Sequence, residues 1–261
     1  MEIKFTNYSH QDKKLNFEIS SSEIIGITGK TKEDIIDIIA FKRLNKGIVT
    51  IDSIKVTKDK INNYRRKISI IKKELETYHS KVANLIHEYI SRNKLTIKNP
   101  DKKINDSLKI VGLNNEILKR EIKTLSTSEM KLLQISISLL SNPEIIIIEE
   151  PFKFIDKQIE KKIITLFRRL KDQFNKTIII VSDDSNTLHK YTTKMFFVKN
   201  NEIVLSGKTE EEYLNIEFLK KNKFEIPDIV EFTHLAKKKK QVKLDYQKDI
   251  TDIIKDIYKH I

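Results

Sequence analysis

Period-two alternation opens the chain. Ile3-Lys4-Phe5 and Leu15-Asn16-Phe17-Glu18-Ile19 put apolar side chains on one face of an extended strand, and Ile24-Ile25-Gly26-Ile27 is a short apolar run. From about Lys32 the period lengthens. Ile35, Ile36, Ile38 and Ile39 fit a helix, with Glu33 and Asp34 as acids in its first turn. Ile48–Ile51 and Ile68–Ile71 predict two further strands, and residues 73–140 read as mostly helical, with a polar connector over Asn93–Asp106. Then alternation returns. Ile145–Ile148 is a buried-strand run, and a helix follows with Ile159, Ile163, Phe167, Leu170 and Phe174 on one face. Thr177–Val181 is β-branched, and Met195–Val198 and Ile203–Leu205 flank Asn200-Asn201, a hairpin turn in which Asn tolerates positive φ. From about Lys223 the tail is basic and helical, with the run Lys237–Lys240. No internal repeat is visible, and strands alternating with helices predict an α/β fold with a mostly parallel sheet.

Composition narrows the class. The chain has 261 residues, 39% hydrophobic and 33% charged, which fits a soluble globular protein of one large domain, or one plus an appendage. There is no cysteine, so disulfides, thiol nucleophiles and cysteine-ligated metals are excluded. The start MEIKFTN lacks the apolar stretch of a signal peptide, and no apolar run approaches the ~18 residues of a membrane span, so a cytoplasmic protein is expected. A net charge of +13 permits nucleic acid, lipid headgroups or nucleotide phosphates as partners. Lysines are spread along the whole chain, however, and no pattern of basic and aromatic side chains specific to bases is present, so no specific nucleic-acid partner is expected. His10, His79, His87, His189, His234 and His260 are isolated, which points to surface or packing roles and not to a metal site.

Candidate chemistry begins at Gly26-Ile27-Thr28-Gly29-Lys30-Thr31-Lys32, between a strand and a helix. That order is what a phosphate loop needs: glycines let backbone N–H groups converge on phosphate oxygens, a lysine adds charge, and a hydroxyl holds magnesium. The same order also occurs in ordinary strand-turn-helix bends. Two registers are open. Gly29-Lys30-Thr31 is a literal Gly-Lys-Thr with a shortened loop. Alternatively, Gly26 and Gly29 keep the usual spacing, Thr31 takes the third glycine's place, Lys32 is the lysine, and Glu33 stands where the hydroxyl belongs. The second is preferred, because the apolar helix begins at the right distance after Lys32. It sets carboxylates where an incoming phosphate would lie.

Further on, Leu125-Ser126-Thr127-Ser128-Glu129 precedes a helix with Met130, Leu133, Ile137 and Leu140 on one face. Ser126-x-x-Glu129 is also a capping box. About twenty residues later Glu149-Glu150-Pro151 ends the Ile145–Ile148 run. Paired carboxylates at the end of a buried strand face solvent, a metal or a partner.

In this order and spacing, the motifs resemble the ATP-binding cassette ATPases, and the resemblance covers nearly the whole chain. It implies a phosphate-loop cassette with antiparallel N-terminal strands, a helical subdomain at about 73–140, a cassette domain over 1–222 and a helical C-terminal extension over 223–261. It implies ATP with Mg2+ as ligands. Gly26, Gly29, Lys30, Thr31, Lys32 and Glu33 would then cradle phosphates. Ser126, Thr127 and Ser128 match the LSGGQ signature, Lys73 the Gln after its strand, and Glu149 the magnesium-linked Asp. Glu150 matches the catalytic carboxylate, Asp183 of Ser182-Asp183-Asp184 the histidine, and Asp156 the acid of the next loop. His10 or Tyr8 would match an adenine-stacking aromatic. Gly207-Lys208-Thr209-Glu210-Glu211-Glu212-Tyr213 and Ile226-Pro227-Asp228-Ile229 are similar to segments of the energy-coupling factor importers.

In that family two cassettes sandwich two ATP molecules and drive a membrane subunit. Here Thr31, Glu33, Lys73, Thr127, Ser128, Glu149 and Asp183 all depart from the pattern. Losing one well-placed stabilising group typically costs ~10²–10³ in rate. The resemblance therefore implies a degenerate subunit with slow hydrolysis or none. Its expected partners are a second, more complete cassette and an integral membrane subunit, and its expected place is the cytoplasmic face of the membrane. A fully active cassette ATPase, a nucleic-acid-associated cassette and a scaffold without nucleotide are the rival readings.

Overall fold

The computed structural model describes residues 1–43, 45–78, 80–240, 251, 252, 254 and 255. His79, His260 and most of the tail beyond residue 240 lie outside them.

Two sheets carry the fold. The strands β1 (Ile3–His10), β2 (Lys13–Ile19) and β3 (Ile24–Thr28) are followed by helix α1 (Lys32–Ile39). Next come β4 (Ile48–Ile51), β5 (Ile54–Lys55), the short α2 (Ile61–Arg65) and β6 (Ile68–Ile71). Strands β2-β1-β4-β5 form an antiparallel sheet. Alternation in β1 and β2 turns Ile3, Phe5, Leu15, Phe17 and Ile19 inward, where they pack with α1 and one face of the larger sheet.

Helices α3 (Val82–Arg92), α4 (Pro100–Ile110) and α5 (Thr127–Leu139) come next, with short 3₁₀ turns between α4 and α5. They share a core of Val82, Ile86, Leu108, Leu133 and Ile137. The polar stretch 93–106 is not all connector, because α4 starts inside it. Asn99 caps that helix by accepting from the Lys102 N–H at 3.1 Å, and Pro100 occupies its first turn. Ile104, Ser107 and Leu108 supply its narrow buried face. Helix α5 is buried almost all round from Lys131 to Leu139, as befits a helix wedged between two cores.

The chain continues through β7 (Ile145–Glu149), α6 (Lys157–Phe174), β8 (Thr177–Val181), α7 (Ser185–Tyr191), β9 (Lys194–Lys199) and β10 (Glu202–Lys208). Phe174, placed on the buried face of α6 by its spacing, is exposed at the helix end, beside Asn175 in the left-handed cap. The second sheet runs β10-β9-β3-β8-β7-β6. All its pairs are parallel except β9–β10, joined by Asn200-Asn201 at φ 50° and 61°. Near-continuous isoleucine in β7 and β8 follows from burial on both faces. Helices α8 (Thr209–Tyr213), α9 (Ile216–Asn222) and α10 (Asp228–Lys240) end the described chain. Leu219, Val230, Phe224 and Ile229 join the core under α6 and α7. The chain from α9 to the start of α10 is thus packed onto the core of the larger sheet.

Candidate functional site

In a parallel sheet the loops after the strands collect at one edge, and ligands bind there. Here the loops after β3, β6, β7 and β8 bring together Lys32, Lys72, Glu149, Glu150 and Asp183.

The turn after β3 is built tightly. Gly29 has φ +120°, and a Cβ there would collide with the carbonyl of Val198 in β9. Gly26 lies earlier, within β3, where a Cβ would strike the Met195 side chain; its smallness serves strand packing. Thr31 precedes α1 without capping it. Its hydroxyl instead accepts the Asn201 N–H at 2.8 Å, tying the turn to the β9–β10 hairpin. Lys30 and Glu33 point to solvent, whereas Lys32 is only 11% exposed in its side chain. The Lys32 ammonium reaches the loop after β8 and meets Asp183 Oδ1 at 2.5 Å. Asp34 does not lie over the turn: its Oδ1 pairs with Arg43 at 2.8 Å.

The paired carboxylates diverge. Glu149 Oε1 takes the Lys72 ammonium at 2.6 Å, and its Oε2 accepts the Lys73 N–H at 3.2 Å. Lys73 therefore contributes backbone, and Lys72, which the sequence reading passed over, contributes charge. Its signal was there: β6 ends at Ile71, so Lys72 is the first residue past the strand. Glu150 sits at φ +44°, an uncommon conformation for a side-chain-bearing residue at a strand end. It turns towards β8, accepting the Ser182 hydroxyl at 2.9 Å and the Asp183 N–H at 3.1 Å.

A second missed residue is Lys131. Only 4% exposed, it points its ammonium at the carbonyls of Lys72, Lys73 and Glu149, each at 3.4 Å. Burial pushes it down to about 8, against the pull of Glu149 and Glu150. Its neighbours Leu132 and Leu133 are apolar, and no sequence pattern separates this lysine from the many surface ones.

The start of α5 is closed by its own side chains. Ser126 Oγ accepts the Glu129 N–H at 3.2 Å, and Glu129 Oε2 accepts the Ser126 N–H at 2.8 Å. Arg120 adds a contact to Glu129 at 2.5 Å. The Ser126 N–H, then Arg120, hold the Glu129 carboxyl below its usual range. Ser128 donates to Asp156 at 3.1 Å, and Asp156 caps α6 by accepting the Ile159 N–H at 2.9 Å. Thr127 is exposed.

Neither aromatic offered for base stacking is available. Tyr8 is 2% exposed, with its hydroxyl donating to the Arg43 carbonyl at 2.6 Å, and His10 is 4% exposed. His189 is also buried, while His87 and His234 face solvent.

A largely parallel sheet with a strand-turn-helix lysine after β3, paired carboxylates two strands away after β7 and a serine-led helix preceding them in the chain defines an ATP-binding cassette. The family model described as "ABC transporter" matches residues 13–153, and the chain belongs to that family. It is similar to the energy-coupling factor transporter ATP-binding protein EcfA2 of Staphylococcus aureus strain MRSA252, 28% identical over 258 residues. That match covers 92% of this chain and 88% of the relative. The protein of the same name in strain NCTC 8325 is 27% identical over the same coverage. Among solved structures, cbiO1 from Clostridium perfringens, part of the ABC transporter complex cbiONQ, superposes with a TM-score of 0.70 at 19% identity, over 89% of this chain and 98% of that one. A dimeric ATP-binding cassette in a post-hydrolysis state with ADP and Pi gives 0.65 at 22% identity, over 79% and 98%. Both structures establish the fold. Among the described residues no helix is long and apolar enough to cross a membrane.

Proposed function

We propose that this chain is the ATP-binding subunit of an energy-coupling factor importer, and the weakly or non-hydrolysing member of a pair of unlike cassettes. Residues 1–222 form the cassette, and 223–261 form its helical extension. It sits at the cytoplasmic face of the membrane, against an integral transport subunit. The relatives' shared name supports the transport role. One observation carries the degeneracy: the charged groups that would act on nucleotide and metal are already paired with one another. Lys32 is held by Asp183, and Glu149 by Lys72.

The family binds ATP together with Mg2+. A magnesium ion needs a carboxylate free to orient its waters and usually a hydroxyl ligand beside the phosphates. Glu149 carries a lysine instead, and Glu33 faces solvent where the hydroxyl would be. The residues present do not fit magnesium held in the family's manner. ATP binding would then rest on the turn around Gly29 and on Lys32, with Lys30 and Thr31 at its rim. Glu150 is the remaining carboxylate of catalytic type, but it is turned to Ser182 and the Asp183 N–H. Ser126, Thr127 and Ser128 face the partner with their first serine spent on a cap.

The test is made in the assembled membrane complex. Glu150→Gln leaves ATP turnover largely intact, while the matching carboxylate change in the second cassette abolishes it. Loss of turnover with Glu150→Gln alone would make this chain a catalytic cassette.

A further inference from the structure

The loop after β8 is more firmly fixed than an exposed ion pair requires. Asp183 is 70% exposed in its side chain, yet its backbone N–H is held by Glu150 Oε1 at 3.1 Å. The Asp184 N–H is held by Ser182 Oγ at 3.1 Å. From the C-terminal extension, Glu225 accepts the Ser185 N–H at 3.0 Å. Asp228 exchanges two hydrogen bonds with the Asn186 side chain, at 2.9 and 3.0 Å. Ordering Asp183 towards Lys32 therefore requires little further loss of freedom, and Lys32 is itself nearly enclosed.

We propose that Asp183 is an internal anion that occupies the terminal-phosphate position on Lys32, so that the site takes a nucleoside diphosphate in preference to a triphosphate. This rests on the preceding reading that the turn after β3 is a nucleotide site. A third phosphate reaching Lys32 has to displace the carboxylate and then remain beside it. Two like charges a few ångströms apart in a partly enclosed site repel strongly. A diphosphate ends short of that position and leaves the Lys32–Asp183 pair whole. Asp184, Glu225, Asp228 and Glu231 line the adjoining cavity and add to the negative field, offset in part by Lys220 and Lys223. The extension's Glu225 and Asp228 act as positioning residues for the loop.

Isothermal titration of the full-length chain with ADP and with ATP, at one ionic strength, tests this. The wild type binds ADP more tightly than ATP. Asp183→Asn raises ATP affinity by about tenfold or more while moving ADP by much less. Asp172→Asn, an exposed carboxylate at the end of α6, leaves the ratio near the wild-type value. An ATP preference in the wild type, or equal changes for both nucleotides in Asp183→Asn, overturns the proposal and leaves the nucleotide site standing. Binding of neither nucleotide by the wild type or by Asp183→Asn overturns both. The wild-type ratio alone decides if the variant does not fold.

Discussion

Helices α1 and α5 both start at the edge that carries the loops after β3, β7 and β8, and both leave unpaired backbone N–H groups there by their geometry. The chain treats them in opposite ways. At α5 the groups are closed internally: Ser126 and Glu129 make a reciprocal cap, Arg120 braces it, and Ser128 reaches Asp156. At α1 no side chain caps the helix, because Thr31 is engaged with the β9–β10 hairpin. There the chain keeps a tight turn and a lysine, and satisfies the lysine from a separate loop. One start is closed as a structural joint; the other has no side-chain cap, and the lysine beside it is paired from another loop.

The largest effect is expected at the start of α1. Gly29→Ala adds a Cβ that meets the Val198 carbonyl, in a backbone conformation that disfavours side chains. Strain of both kinds destabilises the fold by about 3 kcal/mol or more, read as a lower urea midpoint at unchanged slope. A midpoint equal to the wild type's would mean the turn is looser than described.

Next in size is the buried charge on α5. Lys131 binds its proton less tightly folded than unfolded, with a folded value of about 8. The unfolded chain therefore holds more protons between about pH 8 and 10.5, and stability rises across that window. Wild type gains up to about 3 kcal/mol relative to Lys131→Met from pH 7 to 10.5, from the size of that displacement. Urea unfolding of both proteins at the two pH values checks it, with the other lysines cancelling in the difference. A constant difference would remove Lys131 from the low-dielectric interior.

The smallest effect sharpens the closed start. Ser126→Ala removes a cap and lowers stability by about 1 kcal/mol. Because this serine is spent on the helix, nucleotide affinity of the isolated chain stays unchanged. A drop in affinity would show that Ser126 also serves the ligand of its own chain.

Most of the fold was legible in the alternation of apolar residues, since strands such as β2, β7 and β8 state their burial directly. Helix α4 was hidden because its buried face is only three residues wide and its remaining positions are polar. Gly47 lies well past α1, which ends at Ile39, and sits at φ +141° against the Tyr8 backbone at the entry to β4, a contact nothing local in the sequence announces. Order and spacing point to the candidate positions at this edge, but not to their pairings. Nothing local in the sequence joins Lys32 to Asp183, 151 residues apart, or Lys72 to Glu149, 77 apart. Those contacts exist because β3, β8, β7 and β6 lie side by side, and that adjacency is decided by the sheet.

The charges at this edge either neutralise one another or drive chemistry. Phosphate release by the purified chain with saturating ATP and magnesium, compared with Glu150→Gln, tests that most directly. If the charges neutralise one another, both proteins release phosphate at the same near-background rate. Robust turnover that vanishes in Glu150→Gln would contradict that neutralisation.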